Sequence, residues 1–332
     1  MNLERNMHPP QLAPSIVAVI GHTPMVELHR IVKLHGLQGR LLAKLDYLTP
    51  GFSKKDRIAR EMIIEARKSA QLKAGQTVLE LTSGNTGTGL AIVCRALGHP
   101  LVVVMSRGNT MERARMMKAL GAEVILVDQA PDSPPNQVSG ADLALVEQRA
   151  RRLAEERGAF RADQFRLRGN VLAHERHTGP EIWEQSQGNV DAFVDFAGTG
   201  GTFTGTARFL KSQKPAIRCY LVEPATAAVL AGKAVTRASH KIQGGGYNMA
   251  DLPLLDRSLV TDYLSVTDDE AIAGARLLAA EEGIFGGFSS GAHLAVALNL
   301  LRQRERGATI AFLICDSGLK YLSTDLFPYD AL

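Results

Sequence analysis

The chain has 332 residues, of which 45% are hydrophobic and 22% charged, a balance typical of a soluble globular protein with room for two lobes. Aromatic residues make up 5%, and the net charge is +4 with no dense run of lysine and arginine, which argues against a nucleic-acid partner. No apolar run reaches the roughly 18–20 residues that a membrane span needs.

The N-terminal segment, Met1 to Pro14, has charges and three prolines but no apolar core of a secretory signal, and we interpret it as a loose arm. Three widely spaced cysteines show no disulfide framework, which fits a reducing cytoplasm. Neither these cysteines nor the nine histidines have metal-ligand spacing, so no metal is expected.

Short apolar runs alternate with longer helical patterns along the rest of the chain. Arg40–Tyr47 reads as a strand, and the apolar spacing in Asp56–Ala70 predicts a helix. Further strands are predicted at Val78–Leu81, Leu101–Met105, Val124–Val127, Phe193–Phe196, Arg218–Val222 and Ile310–Ile314, and further helices from Thr86 and over Ala141–Arg157. This alternation predicts an α/β fold with mostly parallel sheets, whose active sites lie at the carboxyl ends of strands.

Two adjacent lysines, Lys54 and Lys55, stand where a loop enters the helix predicted from Asp56. Such lysines are usually solvated surface groups, and composition alone does not choose between the two. The small neighbours Gly51 and Ser53 allow a close backbone approach to a ligand. An amine here could form an imine with a carbonyl cofactor such as pyridoxal phosphate.

Three small-residue turns each lead from a strand or loop into a predicted helix. Thr82–Gly87 offers hydroxyl, amide and N–H donors to an anion, and Gly198–Thr202 has three glycines that allow the backbone to wrap a phosphate. The second turn is neither a P-loop nor GxGxxG, which weakens a dinucleotide hypothesis. Gly287–Ala292, like Asp316–Gly318 after the last strand, could equally be a simple serine cap.

Taken in order, these motifs resemble the cysteine synthase and cystathionine β-synthase family of pyridoxal-phosphate enzymes. The resemblance runs from Ile20-Gly21-His22-Thr23-Pro24 to about Phe327. It includes Glu80–Gly87, Lys118–Ala122, Thr178–Trp183, Gly198–Thr202, His240–Gly244, Ser289–Ala292 and Asp316–Gly318. It implies two α/β lobes of the tryptophan synthase β-like fold, with the cofactor between a small lobe, 48–161, and a large lobe, 1–47 plus 162–332.

The resemblance also implies roles for individual residues. The family pattern Ser-Val-Lys-Asp-Arg assigns the Schiff base to Lys55, with Lys54 in place of the usual apolar residue. Asn85 should meet the ring hydroxyl of the cofactor, and Ser289 its pyridine nitrogen. The implied phosphate site is Gly198, Thr199, Gly200, Gly201 and Thr202, and the implied substrate-carboxylate site is Thr82, Ser83, Gly84, Thr86 and Gln164.

The implied reaction is β-replacement on an activated serine such as O-acetylserine, with sulfide, to give L-cysteine through an enzyme-bound aminoacrylate. Lys55 would serve as covalent anchor and as general acid and base. A serine hydroxyl at Ser289 cannot keep the pyridine nitrogen protonated as a carboxylate would, which favours β-elimination over transamination.

Departures from the family pattern leave the acceptor open. Cys315 replaces a usual proline, and Gly245–Asn248 is closer to the Gly-Tyr-Asp segment of cystathionine β-synthases. Arg166 and Arg168 could select an acidic substrate or could be surface charges. The alternative function is therefore condensation of serine or O-phosphoserine with homocysteine or an amine.

Two further classes remain as alternatives. One is a catalytically silent relative that binds a partner, since related enzymes hold the C-terminal tail of serine acetyltransferase in the active site; the other is a dinucleotide oxidoreductase. The retained Lys55 and Asn85 argue against the first. The resemblance also implies a cytoplasmic homodimer, to which the N-terminal arm could contribute.

Overall fold

The computed structural model describes residues 12–82, 84–134 and 138–328. Most of the predicted N-terminal arm, residues 1–11, therefore lies outside the described residues, as does Ser83. No helix in the described ranges combines the length and apolar character that crossing a membrane requires.

The strands form two sheets. The larger has the order β1 (Met25–Glu27), β2 (Arg40–Lys44), β10 (Thr309–Leu313), β7 (Ala192–Phe196), β8 (Arg218–Pro224) and β9 (Asp262–Val266). The smaller has the order β5 (Glu123–Val127), β4 (Leu101–Ser106), β3 (Val78–Leu81) and β6 (Phe160–Arg161). Except for the antiparallel pair of β1 and β2, neighbouring strands are parallel, which confirms the predicted fold class.

Helices cover both faces of each sheet. They are α1 (His29–Leu34), α2 (Lys55–Lys68), α3 (Asn85–Leu97), α4 (Met111–Ala119), α5 (Gly140–Arg157), α6 (Gly169–Ala173), α7 (Gly179–Gln185), α8 (Gly201–Gln213), α9 (Asp268–Glu282) and α10 (Phe288–Arg302). A π-helical turn, His174–Thr178, joins α6 to α7. Because these faces are covered, the central strands β3, β4, β7 and β10 are buried along their whole length and are mainly apolar.

The core follows the alternation of side chains along the strands. In β7, Val194 and Phe196 pack into one apolar cluster, and Phe193 packs into another on the opposite face. In β4, Val103 and Val104 likewise face different clusters. Each sheet thus has a core on each face, and the irregular segments that carry the site are left at the strand ends.

One predicted strand is shorter than expected. Arg40–Tyr47 forms β2 only as far as Lys44, and Asp46–Leu48 turns into a 3-10 helix. The cause is Asp46, whose buried carboxylate accepts hydrogen bonds from the Arg57 guanidinium. Because the Asp46 side chain makes this contact, the backbone leaves the sheet after Lys44.

Candidate active site

A small cavity lies at the carboxyl end of β7, as expected for a parallel sheet. Its lining contains Lys55, Gly198, Thr199, Gly200, Thr202 and Ser289, six residues that the sequence assigns to one cofactor. The other lining residues are Lys54, Asp195, Phe196, Gly244 and Cys315. Asn85 and Gly201, also assigned to the cofactor, are not among the lining residues.

The Gly198–Thr202 turn connects β7 to α8 and provides an anion cradle. Gly200 has a φ of 82°, in the left-handed region that favours glycine, and it caps α8. The free N–H groups of the first turn of α8 attract a phosphate. A Cβ on Gly201 would lie 2.2 Å from Asn170 Oδ1, so only glycine fits there. The turn, the lysines and Ser289 together fit pyridoxal phosphate: an anion cradle, an amine and a hydroxyl border one cavity.

Asn170 and His174 make hydrogen bonds to the threonines of this turn, and neither contact was predicted from the sequence. Asn170 Nδ2 donates to Thr199 Oγ1 at 2.8 Å and to the Gln164 carbonyl at 2.7 Å. The His174 ring contacts Thr202 Oγ1 through Nε2 at 3.1 Å. Burial, and then the nearby cationic side chains, lower the pKa of His174 well below its usual range, so the ring is neutral.

We predict that Asn170→Ala lowers the affinity for pyridoxal phosphate about tenfold, because the bond to Thr199 that holds the phosphate turn is lost together with the bond that ties Asn170 to Gln164. Titration of the cofactor-free protein by absorbance measures the affinity. Asn189→Ala is the matched control, since Asn189 is exposed and bonds only to neighbouring backbone carbonyls. Equal affinities of the two variants would contradict the supporting role of Asn170.

Lys55 is the first residue of α2 and is buried. Within the described part of the chain its Nζ makes no hydrogen bond or ion pair, whereas Lys54 Nζ donates to Asp195 Oδ1 at 2.9 Å. Burial, followed by the charge of Lys54, lowers the pKa of Lys55 to about 8. Of the two adjacent lysines, Lys55, which the family resemblance assigns to the Schiff base, therefore has the amine available for covalent chemistry.

Apart from Ser83, which lies outside the described residues, the substrate residues predicted from the sequence lie around the start of α3. Thr82 Oγ1 accepts hydrogen bonds from the backbone N–H groups of Gly84 at 3.0 Å and Gly87 at 3.2 Å, which leaves its own O–H free to donate. Thr86 Oγ1 donates to Gln164 Oε1 at 2.6 Å. Gly84 adopts a φ of 128°, so the turn depends on glycine. The Thr82 hydroxyl and the N–H groups at the start of α3 are donors suited to a carboxylate, whereas the Thr86 hydroxyl donates to Gln164 and the Gln164 amide to the Leu81 carbonyl.

Asn85 is oriented by a network that the sequence did not reveal. Its Nδ2 donates to Asp316 Oδ2 at 2.7 Å, and its Oδ1 accepts from Lys320 Nζ at 2.7 Å. Tyr321 donates to the same Asp316 oxygen at 2.7 Å. Burial, the largest influence, lowers the pKa of Lys320 to about 8. The signal in the sequence was the Asp-Ser-Gly run after β10, which could equally have been a simple cap.

Ser289 lies in the first turn of α10 and borders the cavity. Its hydroxyl contacts the thiol of Cys315, whose pKa burial raises to about 11, so the thiol is neutral. Ser289 therefore offers the cavity a neutral hydroxyl. The neighbouring Ser290 Oγ has a structural role, since it accepts a hydrogen bond from the Cys315 backbone N–H at 3.0 Å.

A larger cleft of about 480 Å³ adjoins this cavity. Gly244 borders both. The cleft is lined mainly by the segments 107–112, 138–140, 240–248 and 323–325. Arg166 and Arg168 line neither the cleft nor the cavity and are exposed, which favours the interpretation of these arginines as surface charges.

Comparisons with known proteins agree with this geometry. The family model described as "Pyridoxal-phosphate dependent enzyme" matches residues 16–316. Cysteine synthase 3 of Caenorhabditis elegans is 41% identical over 310 residues, covering 93% of this chain and 88% of its own.

Two solved structures are similar over nearly the whole chain. O-acetyl serine sulfhydrylase isoform 3 from Entamoeba histolytica is 33% identical with a TM-score of 0.89, covering 98% of this chain and 95% of its own. An O-ureido-L-serine synthase is 35% identical with a TM-score of 0.85, covering 97% of this chain and 99% of its own. The resemblance predicted from the sequence motifs is confirmed: the chain is a pyridoxal-phosphate-dependent enzyme and belongs to the cysteine synthase family, with the tryptophan synthase β-like fold.

Proposed function

We propose that this protein replaces the β-substituent of an activated L-serine, of the O-acetyl-L-serine type, with sulfide and releases L-cysteine. The observation that carries the proposal is the cavity that an unpaired buried amine, Lys55, shares with the Gly198–Thr202 turn, which Asn170 links to Gln164. The two relatives whose names specify cysteine or O-acetylserine chemistry support the same reaction.

The cofactor, when bound, supplies an aldehyde for amines and an electron-withdrawing ring that acidifies the Cα–H bond of the attached amino acid. Gly198–Thr202 would hold its phosphate, and Asn85 and Ser289 would contact its ring. Because the Ser289 hydroxyl is neutral, it does not stabilise a cationic pyridine nitrogen. Loss of the β-substituent together with the Cα proton is then favoured over long-lived carbanion chemistry.

The protein residues position the substrate and move its protons. Thr82, Gly84, Thr86 and Gln164, with Ser83 beside them in sequence, would bind the carboxylate and fix the Cα–H bond toward Lys55. Once free, the Lys55 amine accepts the Cα proton, and acetate departs from Cβ. Hydrosulfide then adds at Cβ, and Lys55 returns a proton to Cα before cysteine leaves.

The acceptor is tested by a substrate panel. O-acetylserine, O-phosphoserine and serine are each paired with sulfide, homocysteine and simple amines, with Lys55→Ala as the inactive reference. We expect O-acetylserine with sulfide to give the highest kcat/KM. A higher value for any other acceptor would overturn sulfide as the physiological nucleophile.

The second candidate is condensation of serine or O-phosphoserine with homocysteine or an amine. The cleft beside Gly244 favours it, because about 480 Å³ is far more room than sulfide needs. The residues 245–248, which resemble the cystathionine β-synthase segment, line that cleft. The same panel distinguishes the two candidates.

We further infer a cytoplasmic homodimer with a small lobe at 48–161 and a large lobe from the remaining residues. Cys94, Cys219 and Cys315 are free and buried, which supports a reducing compartment. The exposed apolar side chains Ile16 and Val19 support an interface near the N-terminus, and light scattering would test it. A serine acetyltransferase tail remains a proposed partner for the same active site.

A further inference from the structure

Lys54 and Lys55 border one cavity but have different surroundings. Lys54 caps α2, and its backbone N–H donates to the Cys315 carbonyl at 2.8 Å. Its ammonium is paired with Asp195, and both side chains are buried. A buried ion pair is costly to desolvate and weak evidence for stability, so its position beside the reactive lysine suggests a functional role.

Asp195 depends on Lys54 for charge compensation. Among the described residues, the other basic group paired with Asp195 within 4 Å is His293, whose Nε2 lies 3.5 Å from Asp195 Oδ1. That ring nitrogen already accepts the backbone N–H of Phe196 at 2.6 Å, and Nδ1 faces the Leu313 carbonyl at 2.7 Å. Burial lowers the pKa of His293 to about 4, so the ring is neutral. Lys54 is the cation that this carboxylate requires.

The same contacts argue against a metal ion at this place. Asp195, His293 and Cys315 each present a ligand-type atom, and these atoms lie within 4.8 Å of one another. Any metal ion would have to displace the Lys54 ammonium and break one of the two hydrogen bonds of the His293 ring. Lys54 thus takes the place of a bound cation.

The Lys54 amine is protonated in this site. Burial alone would lower its pKa, but the charge and hydrogen bond of Asp195 outweigh burial and raise the pKa above its usual range. Lys54 is therefore positively charged throughout the pH range in which enzymes of this kind work, and the next residue in the chain is Lys55. Because both side chains border the same cavity, the charge of Lys54 disfavours a second positive charge on Lys55.

The other titratable groups around Lys55 come from separate elements of the fold. They are Asp195 at the end of β7, Cys315 after β10, Glu80 in β3 and His174 in the π-helical turn. The thiol and the imidazole are neutral, and burial raises the pKa of the Glu80 carboxyl well above its usual range. The charges that act on Lys55 are those of Lys54, which repels a proton, and Asp195, which attracts one more weakly.

We propose that Lys54, fixed by Asp195, is a positioning residue that increases the neutral, nucleophilic fraction of the free Lys55 amine near neutral pH. The inference rests on the proposed role of Lys55 as the covalent anchor. The ion pair also joins the start of α2 to the strand that leads into the phosphate cradle, so the amine and the cradle are held in fixed relation.

Competitive acetylation tests the proposal. The full-length protein freed of cofactor is treated with trace acetic anhydride across pH 6 to 10, and mass spectrometry measures acetyl groups on Lys54 and Lys55 separately. In the unsubstituted protein we expect half-maximal labelling of Lys55 near pH 8 and little labelling of Lys54 at any pH. Lys54→Gln keeps an amide donor for Asp195 but removes the charge.

We expect Lys54→Gln to raise the labelling midpoint of Lys55 by roughly one to two pH units, and Lys54→Arg, which keeps the charge, to leave the midpoint in place. Cofactor uptake at pH 7 should slow about tenfold in the glutamine variant for each unit of this shift. Identical midpoints in all three proteins would overturn the proposal.

A double variant tests the proposal in case Lys54→Gln alone fails to fold. Lys54→Gln with Asp195→Asn has no buried carboxylate that lacks a cation at this position. Its Lys55 labelling midpoint should still rise, though by less than in Lys54→Gln. An unchanged or lowered midpoint in the double variant would also overturn the proposal.

Borohydride reduction of the unsubstituted holoenzyme tests the role of Lys55 separately from the role of Lys54. If the reduced cofactor is not on Lys55, the proposed function fails. If it is on Lys55 while the midpoints do not move, only the role of Lys54 fails.

Discussion

Lys55→Ala is expected to abolish the visible absorbance of lysine-bound pyridoxal phosphate and to lower turnover at least about 10³-fold. The variant removes the amine that would anchor the cofactor and exchange the Cα proton, and Lys54 cannot substitute because it is held by Asp195. Absorbance spectra of the purified protein and initial rates with O-acetylserine and sulfide measure the two effects.

The matched control is Lys68→Ala, at the other end of α2, where the side chain is exposed. This variant should keep both the colour and the rate of the unsubstituted protein. A yellow, active Lys55→Ala protein would defeat the assignment, as would a colourless Lys54→Ala protein alongside a yellow Lys55→Ala protein. Circular dichroism should show that Lys55→Ala folds, since its Nζ makes no hydrogen bond within the described chain.

Arg57→Leu is expected to destabilise the protein by about 3–5 kcal/mol, the range found when one partner of a buried ionic network is removed. Arg57 is fully buried. Its guanidinium donates to Asp46 at 2.9 and 3.0 Å and to Glu181 at 2.6 and 2.7 Å. Without it, the Asp46 carboxylate loses its guanidinium partner, while among the described residues Glu181 keeps the Lys44 ammonium at 2.7 Å and the His22 backbone N–H at 3.1 Å.

Urea denaturation at pH 7 measures the loss, with Arg67→Leu on the exposed face of the same helix as the control. We expect the control to lie within about 0.5 kcal/mol of the unsubstituted protein. If the two variants unfold at the same urea concentration, the network does not stabilise the fold.

The pH dependence of unfolding gives a second readout of this network. Burial alone would raise the pKa of Glu181, but hydrogen bonds and charge from Arg57 and Lys44 outweigh burial and lower it to about 2. Because the folded pKa lies below the ordinary value of 4.5, this stabilisation is present above about pH 4.5 and is lost as the pH falls toward 2. The loss should be smaller in Arg57→Leu.

Local sequence patterns predicted many of the strands and helices, and they also predicted the glycine-rich turn that borders the cavity. Val78–Leu81 matches β3 residue for residue, because a short apolar run bounded by turn residues leaves few alternatives. The three glycines of Gly198–Thr202 likewise predicted a turn that enters a helix, since their backbone freedom is a property of the residues themselves.

The supporting residues could not be predicted, because their partners are distant in sequence. Lys54 and Asp195 are 141 residues apart, and Lys320 and Asn85 are 235 apart. A single sequence does not show which strands become neighbours in a sheet. It also does not show which pairs of side chains come into contact across that sheet. Asp195 is a charged residue in an otherwise apolar strand, and only the tertiary structure identifies Lys54 as its partner.

The Asn85 network has a practical consequence for anyone who shortens this chain. The family model stops at residue 316, yet Lys320 and Tyr321 lie beyond that limit and complete the hydrogen bonds around Asn85 and Asp316. A recombinant fragment trimmed to the family model would leave the asparagine amide without its lysine donor. The structural unit is thus longer than the segment that the family model matches.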